Sequence, residues 1–116
     1  MKTNLSREQL CSAKCLVLDN TIGNDYSPEE IAKQLQVVSD WRFSEGFIER
    51  QYIFKNYYET IAFVNALAWM IHAQDHHPEL KVTYNKCLVK FNTHSVNGIS
   101  VNDFICAAKA DMIASQ

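Results

Sequence analysis

WRFSEGFIERQYIFKNYYETIAFVNALAWMI, residues 41–71, changes its hydrophobic period half-way along, and that change decides the fold. Up to Phe54 the pattern alternates: Ile48, Arg50, Tyr52 and Phe54 fall on one side of an extended chain, with Phe47, Glu49, Gln51 and Ile53 on the other. Gly46 supplies a turn, so an antiparallel hairpin of residues 41–45 and 47–54 is expected. From Asn56 the period lengthens to that of a helix. Asn56 with Glu59 three positions on marks its start, and Tyr57, Ile61, Val64, Leu67 or Ala68, and Ile71 form an apolar stripe. Trp69 is expected to pack in the core. The helix should end by Asp75, because Pro78 drives His77 out of the α region.

On the N-terminal side, Ser27, Pro28 and Glu30 form a helix start, followed by Ile31, Leu35 and Val38 at helical spacing, which predicts a helix over 28–38. LDNTIGNDY, residues 18–26, reads as a loop, so residues 1–26 form an N-terminal arm and residues 27–116 the domain. On the C-terminal side, Cys87, Val89 and Phe91 alternate with Lys86, Leu88 and Lys90, and Val82 and Tyr84 suggest a shorter strand before them. After the turn HSVNG, Ser100 and Asp103 cap a last helix carrying Val101, Phe104, Ile105, Ala108 and Met112. The order αββαββα predicts an α+β domain: a four-stranded antiparallel sheet with three helices on one face.

The totals narrow the function. A chain of 116 residues, 47% hydrophobic, suits one core. A net charge of −2 without a basic block argues against direct nucleic-acid binding. MKTNLSREQL has no apolar signal core, and IAFVNALAWMI, 61–71, is too short and too interrupted to span a bilayer. A soluble cytoplasmic protein, without a membrane partner, is the expectation. Cys11, Cys15, Cys87 and Cys106 are then reduced thiols; CSAKC could be half a zinc site, but no second Cys or His pair stands at finger spacing.

Three of the four histidines lie in DHHPELKVTYNKCLVKFNTH, residues 75–94. His72 and His76, four apart on a helix, with His77 and either His94 or Cys87, could be a metal set. Against it, the glutamate of HEXXH is absent, the helix ends at His76, and the neighbouring His76 and His77 side chains diverge. Isolated surface histidines are the plain alternative. A helix end, His-His-Pro, and a histidine leaving a strand before a glycine turn are all element termini, where binding and catalytic groups are displayed. GxSxG and phosphate-loop patterns are missing. Proton transfer by neutral imidazoles is the chemistry that remains, and it needs neither a metal nor a cofactor.

In order and at spacing, His72, His76, His77, Pro78, Tyr84, Thr93, His94, Gly98 and Asp103 resemble the signature of the pterin-4a-carbinolamine dehydratase family, with the match running from about Ser27 to Met112. The resemblance implies a hydro-lyase (4a-hydroxytetrahydrobiopterin dehydratase) that converts 4a-hydroxytetrahydropterin to quinonoid dihydropterin and recycles the pterin of aromatic amino-acid hydroxylases. It implies His76, His77 and His94 as acid and base candidates, without assigning which is which. Asp103 would orient one of them or simply cap its helix, while His72, Pro78, Tyr84 and Thr93 would help hold the pterin. The pterin is substrate rather than cofactor, and homodimers or homotetramers joined through sheet edges and helices are implied. Two departures are His72, where relatives often carry Glu, and Leu80, where many carry a Trp that walls the site; Tyr84 or Trp69 is left to supply an aromatic surface, and the preferred pterin could differ. Animal relatives also act as dimerisation cofactors for a homeodomain transcription factor, so a non-enzymatic cofactor that binds a protein partner is the alternative reading.

Overall fold

The hairpin expected around Gly46 forms where the alternation places it. In the computed structural model, which describes residues 2–116, β1 (Arg42–Ser44) and β2 (Phe47–Ile53) are joined by Glu45 and Gly46, both at positive φ (50° and 85°). A two-residue turn of that kind matches the right-handed twist of the strands it connects. After α3 (Tyr57–Gln74) come β3 (Glu79–Val82) and β4 (Lys86–Phe91), and the sheet runs β1-β2-β4-β3, antiparallel throughout. β4 is thus central and pairs from Ile48↔Phe91 to Ile53↔Lys86 with β2. Ile48, Tyr52, Cys87, Val89 and Phe91 are buried on the face that the helices cover.

α2 (Pro28–Leu35) and α4 (Val101–Ala114) both begin with reciprocal capping boxes, Ser27 with Glu30 and Ser100 with Asp103. α2 ends three residues earlier than its periodicity suggests. Val37 and Val38 instead bond back by turns to Gln34 and Leu35, which carries the chain to the buried Trp41. The expected stripe of α3 is rotated: Thr60, Phe63 and Leu67 face the core, and Trp69 is 78% exposed. An almost wholly apolar helix has no clear moment, so periodicity alone could not say which side turns inward. β3 stops at Val82, leaving Tyr84 in the turn before β4.

One element is added to the expected order. A short helix, α1 (Arg7–Ser12), opens on a capping box of Ser6 and Gln9 and inserts Leu10 fully into the common core, so four α-helices stand among the described residues. α1 and α3 both pack on α4. α4 is consequently buried around nearly its whole circumference, from Asn102 to Ala108 and at Ala110 and Asp111. A helix apolar on all sides needs such cover. No helix among the described residues is long and apolar enough to cross a membrane.

Asp111 is the polar anchor of this packing. It is buried and accepts hydrogen bonds from Trp41 Nε1 (3.0 Å), Arg50 NH1 (2.7 Å) and the Tyr52 hydroxyl, tying α4 to the first hairpin. Burial, then the Asp111 charge, pushes the Tyr52 phenol far up, so it stays a donor at any working pH. Asp111→Ala leaves these three donors without their acceptor. Urea denaturation should show a loss of about 3 kcal/mol, whereas Asp40→Ala, which removes the exposed second carboxylate beside Arg50, should change stability by less than about 0.5 kcal/mol.

Candidate active site

α3 stops because Asp75 adopts the left-handed conformation (φ 52°). Its N–H bonds to His72 O and that of His76 reaches back to Ile71 O, both at 3.2 Å. This double closure satisfies the last carbonyls of the helix and turns the chain. The His76 ring lies against Phe91 of β4, with centroids 5.8 Å apart and planes within 10°, and its Nε2 stands 2.6 Å from Asp103 Oδ1.

Asp103, with no exposed surface, lies in the first turn of α4. Its Oδ2 accepts the Ser100 N–H at 2.9 Å, which closes the capping box, and the Thr93 hydroxyl at 2.8 Å. Thr93 has one hydroxyl hydrogen and donates it to the carboxylate, so in the 2.6 Å contact between Thr93 and Ser100 the serine is the donor. An ionised carboxylate only accepts, which places a hydrogen on His76 Nε2 and leaves Nδ1 to exchange a proton. Burial of His76 opposes its charged form, but the hydrogen bond and charge of Asp103 outweigh that, and the imidazole is raised above its ordinary value.

The other site candidates divide into two groups. His77 and His94 are exposed and directly follow His76 and Thr93 in the chain, so each Cα lies about 3.8 Å from that of a residue bonded to Asp103. His94 begins a 3₁₀ turn (His94–Val96) closed by the Thr93–Gly98 bridge, whose backbone bonds are 2.8 and 3.3 Å. Pro78 follows, half-buried. His72, in contrast, is exposed and lines a shallow depression with Ala68 and Trp69 on the outside of α3. It does not pair with His76, and among the described residues no group of three His, Cys, Asp or Glu gathers as a metal set would.

Tyr84 is not brought to this site either. Its carbonyl accepts from Thr60 Oγ1 (3.0 Å) in the first turn of α3, roughly 20 Å along the helix from His76 at 1.5 Å per residue. Tyr84 therefore cannot replace the tryptophan missing at Leu80, which sits opposite Val89 on the edge strand, and Trp69 stands exposed on α3 beside His72. Phe91 is the aromatic residue on which His76 stacks.

A cleft of about 380 Å³ opens beside His76 and Thr93, within the range of small-molecule sites. Two wider depressions, about 600 and 500 Å³, hold no histidine, so size alone does not mark the site. One wall of the histidine cleft is the N-terminal arm, from Lys14 to Leu18. Leu16 N–H donates to Asn102 Oδ1 (2.8 Å), Asn102 Nδ2 donates to Leu16 O (2.7 Å), and Cys15 N–H donates to Gln74 Oε1 (2.8 Å). Sequence reading missed Cys15, Gln74 and Asn102 here. The arm contacts span 59 and 86 positions, and the only local hint that the arm is structured is the Ser6/Gln9 capping box.

This geometry can be set against known proteins. The pterin 4 alpha carbinolamine dehydratase family matches residues 24–113. The chain belongs to that family, a family of hydro-lyases. A relative bearing the family's name from Bdellovibrio bacteriovorus is 50% identical over 95% of this chain and 92% of its own length. Another, from Nitrosomonas eutropha, is 52% identical over 73% of this chain and 74% of its own. A crystal structure of a transcriptional coactivator/pterin dehydratase from Brucella melitensis superposes with a TM-score of 0.76 at 30% identity, covering 78% of this chain and 99% of that one.

The Asp103 pair gives a titration prediction. The His76 imidazole followed by NMR should titrate above 6.5, its ordinary value, and Asp103→Asn should lower that midpoint. Because the folded value is raised, the stability contributed by the charged pair is fully present below about pH 6.5 and fades as pH rises through the folded value. The stability gap between wild type and Asp103→Asn should therefore be widest in that acid range and narrow above it.

Proposed function

We propose that the surface carrying His76, His77 and His94, beside the cleft, dehydrates a 4a-hydroxytetrahydropterin to the quinonoid dihydropterin by histidine acid/base catalysis. The observation that carries this reading is the placement of two exposed imidazoles, His77 and His94, one residue away from a buried His76–Thr93–Asp103 network. In the elimination, an acid protonates the 4a-hydroxyl as the C4a–O bond breaks and water leaves. A base takes the N5 proton, and that electron pair forms the C4a=N5 double bond. The protons balance, so the step calls for no metal or organic cofactor.

His77 and His94 are the groups exposed to substrate. His76, held by Asp103 and biased toward its charged form, positions the pterin and hydrogen-bonds the departing oxygen through its free Nδ1. Asp103 acts through His76, and Thr93 through Asp103. The role that follows is recycling, in the cytoplasm, of the pterin used by an aromatic amino-acid hydroxylase. A second reading, assembly into homo-oligomers or with another protein, is favoured by the outer face of α3, where Tyr58 and Trp69 stand exposed eleven positions apart on the same side.

The test follows the decay of 4a-hydroxytetrahydropterin absorbance, with the substrate generated by a separate hydroxylase. Wild type should accelerate decay with or without a chelator, and His77→Ala and His94→Ala should each lower kcat/KM by about 10²-fold or more. His72→Ala should stay within about threefold of wild type, a ceiling far below the usual acid/base contribution. No acceleration by folded wild type would overturn the assignment for that pterin.

A further inference from the structure

The arm brings more than a wall to the cleft. Cys15 and Cys106, 91 positions apart, place their sulfurs 3.5 Å from one another, and both are free thiols. A disulfide bond is about 2 Å long, so the sulfurs need to close by only about 1.5 Å. The backbone around Cys15 is already pinned, by Gln74 on one side and by the two-way pairing of Leu16 with Asn102 on the other. The other two cysteines lack such a neighbour: Cys11 directs its thiol to Ala108 O, and Cys87 is sealed in β4.

The pair is also asymmetric. Cys15 is half-buried and lines the cleft, while Cys106 is fully buried. The hydrogen bond from the Cys106 thiol holds Cys15 below the ordinary thiol range, opposed by burial and aided by nearby His76. Asp103 opposes the Cys15 thiolate and Lys109 favours it. Cys106 is pushed far up by the same hydrogen bond and by its own burial. A reachable thiolate beside a buried thiol is the arrangement of an attacking and a resolving cysteine.

We infer that Cys15 and Cys106 are an oxidative modification site, at which a hydroperoxide entering the cleft converts the two thiols to a disulfide that staples the arm to α4. Cys15, having lost its proton to solvent, attacks the near peroxide oxygen. The O–O bond breaks, Cys15 becomes a sulfenic acid, and the departing alkoxide or hydroxide takes a proton from water. Cys106 then attacks the Cys15 sulfur, and its thiol proton leaves with the sulfenic hydroxyl as water. Two thiols and one hydroperoxide give one disulfide, one alcohol or water, and one further water. The staple fixes the cleft wall one helical turn from Asp103. It does not depend on which reaction the cleft carries out.

The experiment treats reduced full-length protein with about one molar equivalent of hydrogen peroxide, since one peroxide suffices for one pair. Readouts are thiol titration, intact mass, and peptide mapping. Thiols titrated after denaturation should fall from four to two, the mass should drop by two hydrogens, and the mapped link should join Cys15 to Cys106 within one chain. Tm should rise by roughly 10 °C and return on reduction, because the staple closes a long loop. Cys106→Ala should stop at a Cys15 sulfenic acid trapped by dimedone. Cys15→Ser, at the half-buried position, should keep its remaining thiols under the same dose, which tests the proposal even if the Cys106 variant does not fold. Intact thiols in wild type, a link through Cys11, Cys87 or a second chain, or oxygen added to Cys15 without a link would each overturn the inference.

Discussion

A carboxylate with no exposed surface must be satisfied by the protein itself, and Asp103 imposes that demand on three elements at once. The Ser100 N–H comes from the start of its own helix, the Thr93 hydroxyl from the bridged segment just after β4, and the His76 ring from the turn after α3. The positive end of the α4 macrodipole favours the same charge. If any of these ends moves, a buried charge loses a partner. The site geometry is therefore held by the same bonds that join α3, β4 and α4, which is how side chains at chain turns keep fixed positions.

A second buried carboxylate plays a similar part further along α4. Asp111 collects Trp41, Arg50 and Tyr52 from the first hairpin, so α4 is fastened to the sheet near both of its ends. Between them the helix offers mostly small and apolar side chains, Phe104 to Ala108 and Ala110, and these allow close approach by α1, α3 and the strands. The arm completes this enclosure. Without Leu10 and the Leu16 pairing, one side of α4 would be open to water.

The chemistry follows from a division of exposure. His76 is 12% exposed in its side chain, paired and ring-packed, so its charge is set by the protein. His77 and His94 face solvent one residue on, where they can meet a ligand. The cleft beside them is lined by one imidazole, His76, with Thr93, Ser95, Gln74 and Asn102 among its polar groups. Phe91, fully buried, supports the site only from behind, through the His76 ring that stacks on it.

The sequence by itself determined the α+β class, the hairpin at Gly46, the two helix starts at Ser27 and Ser100, and the placing of His76, His77 and His94 at the ends of elements. All of these rest on local rules: strand alternation, turn and cap chemistry, and a proline that stops a helix. It also led to the family through those spaced residues. What only the tertiary structure decided was which face of α3 turns inward, that Tyr84 lies away from the histidines, that Asp103 serves both as cap and as partner of His76, and that the arm reaches the cleft and sets Cys15 against Cys106. The reason is separation. These contacts join residues 24 to 91 positions apart, or choose between equally apolar sides of one helix, and their energies come from burial that no local pattern encodes.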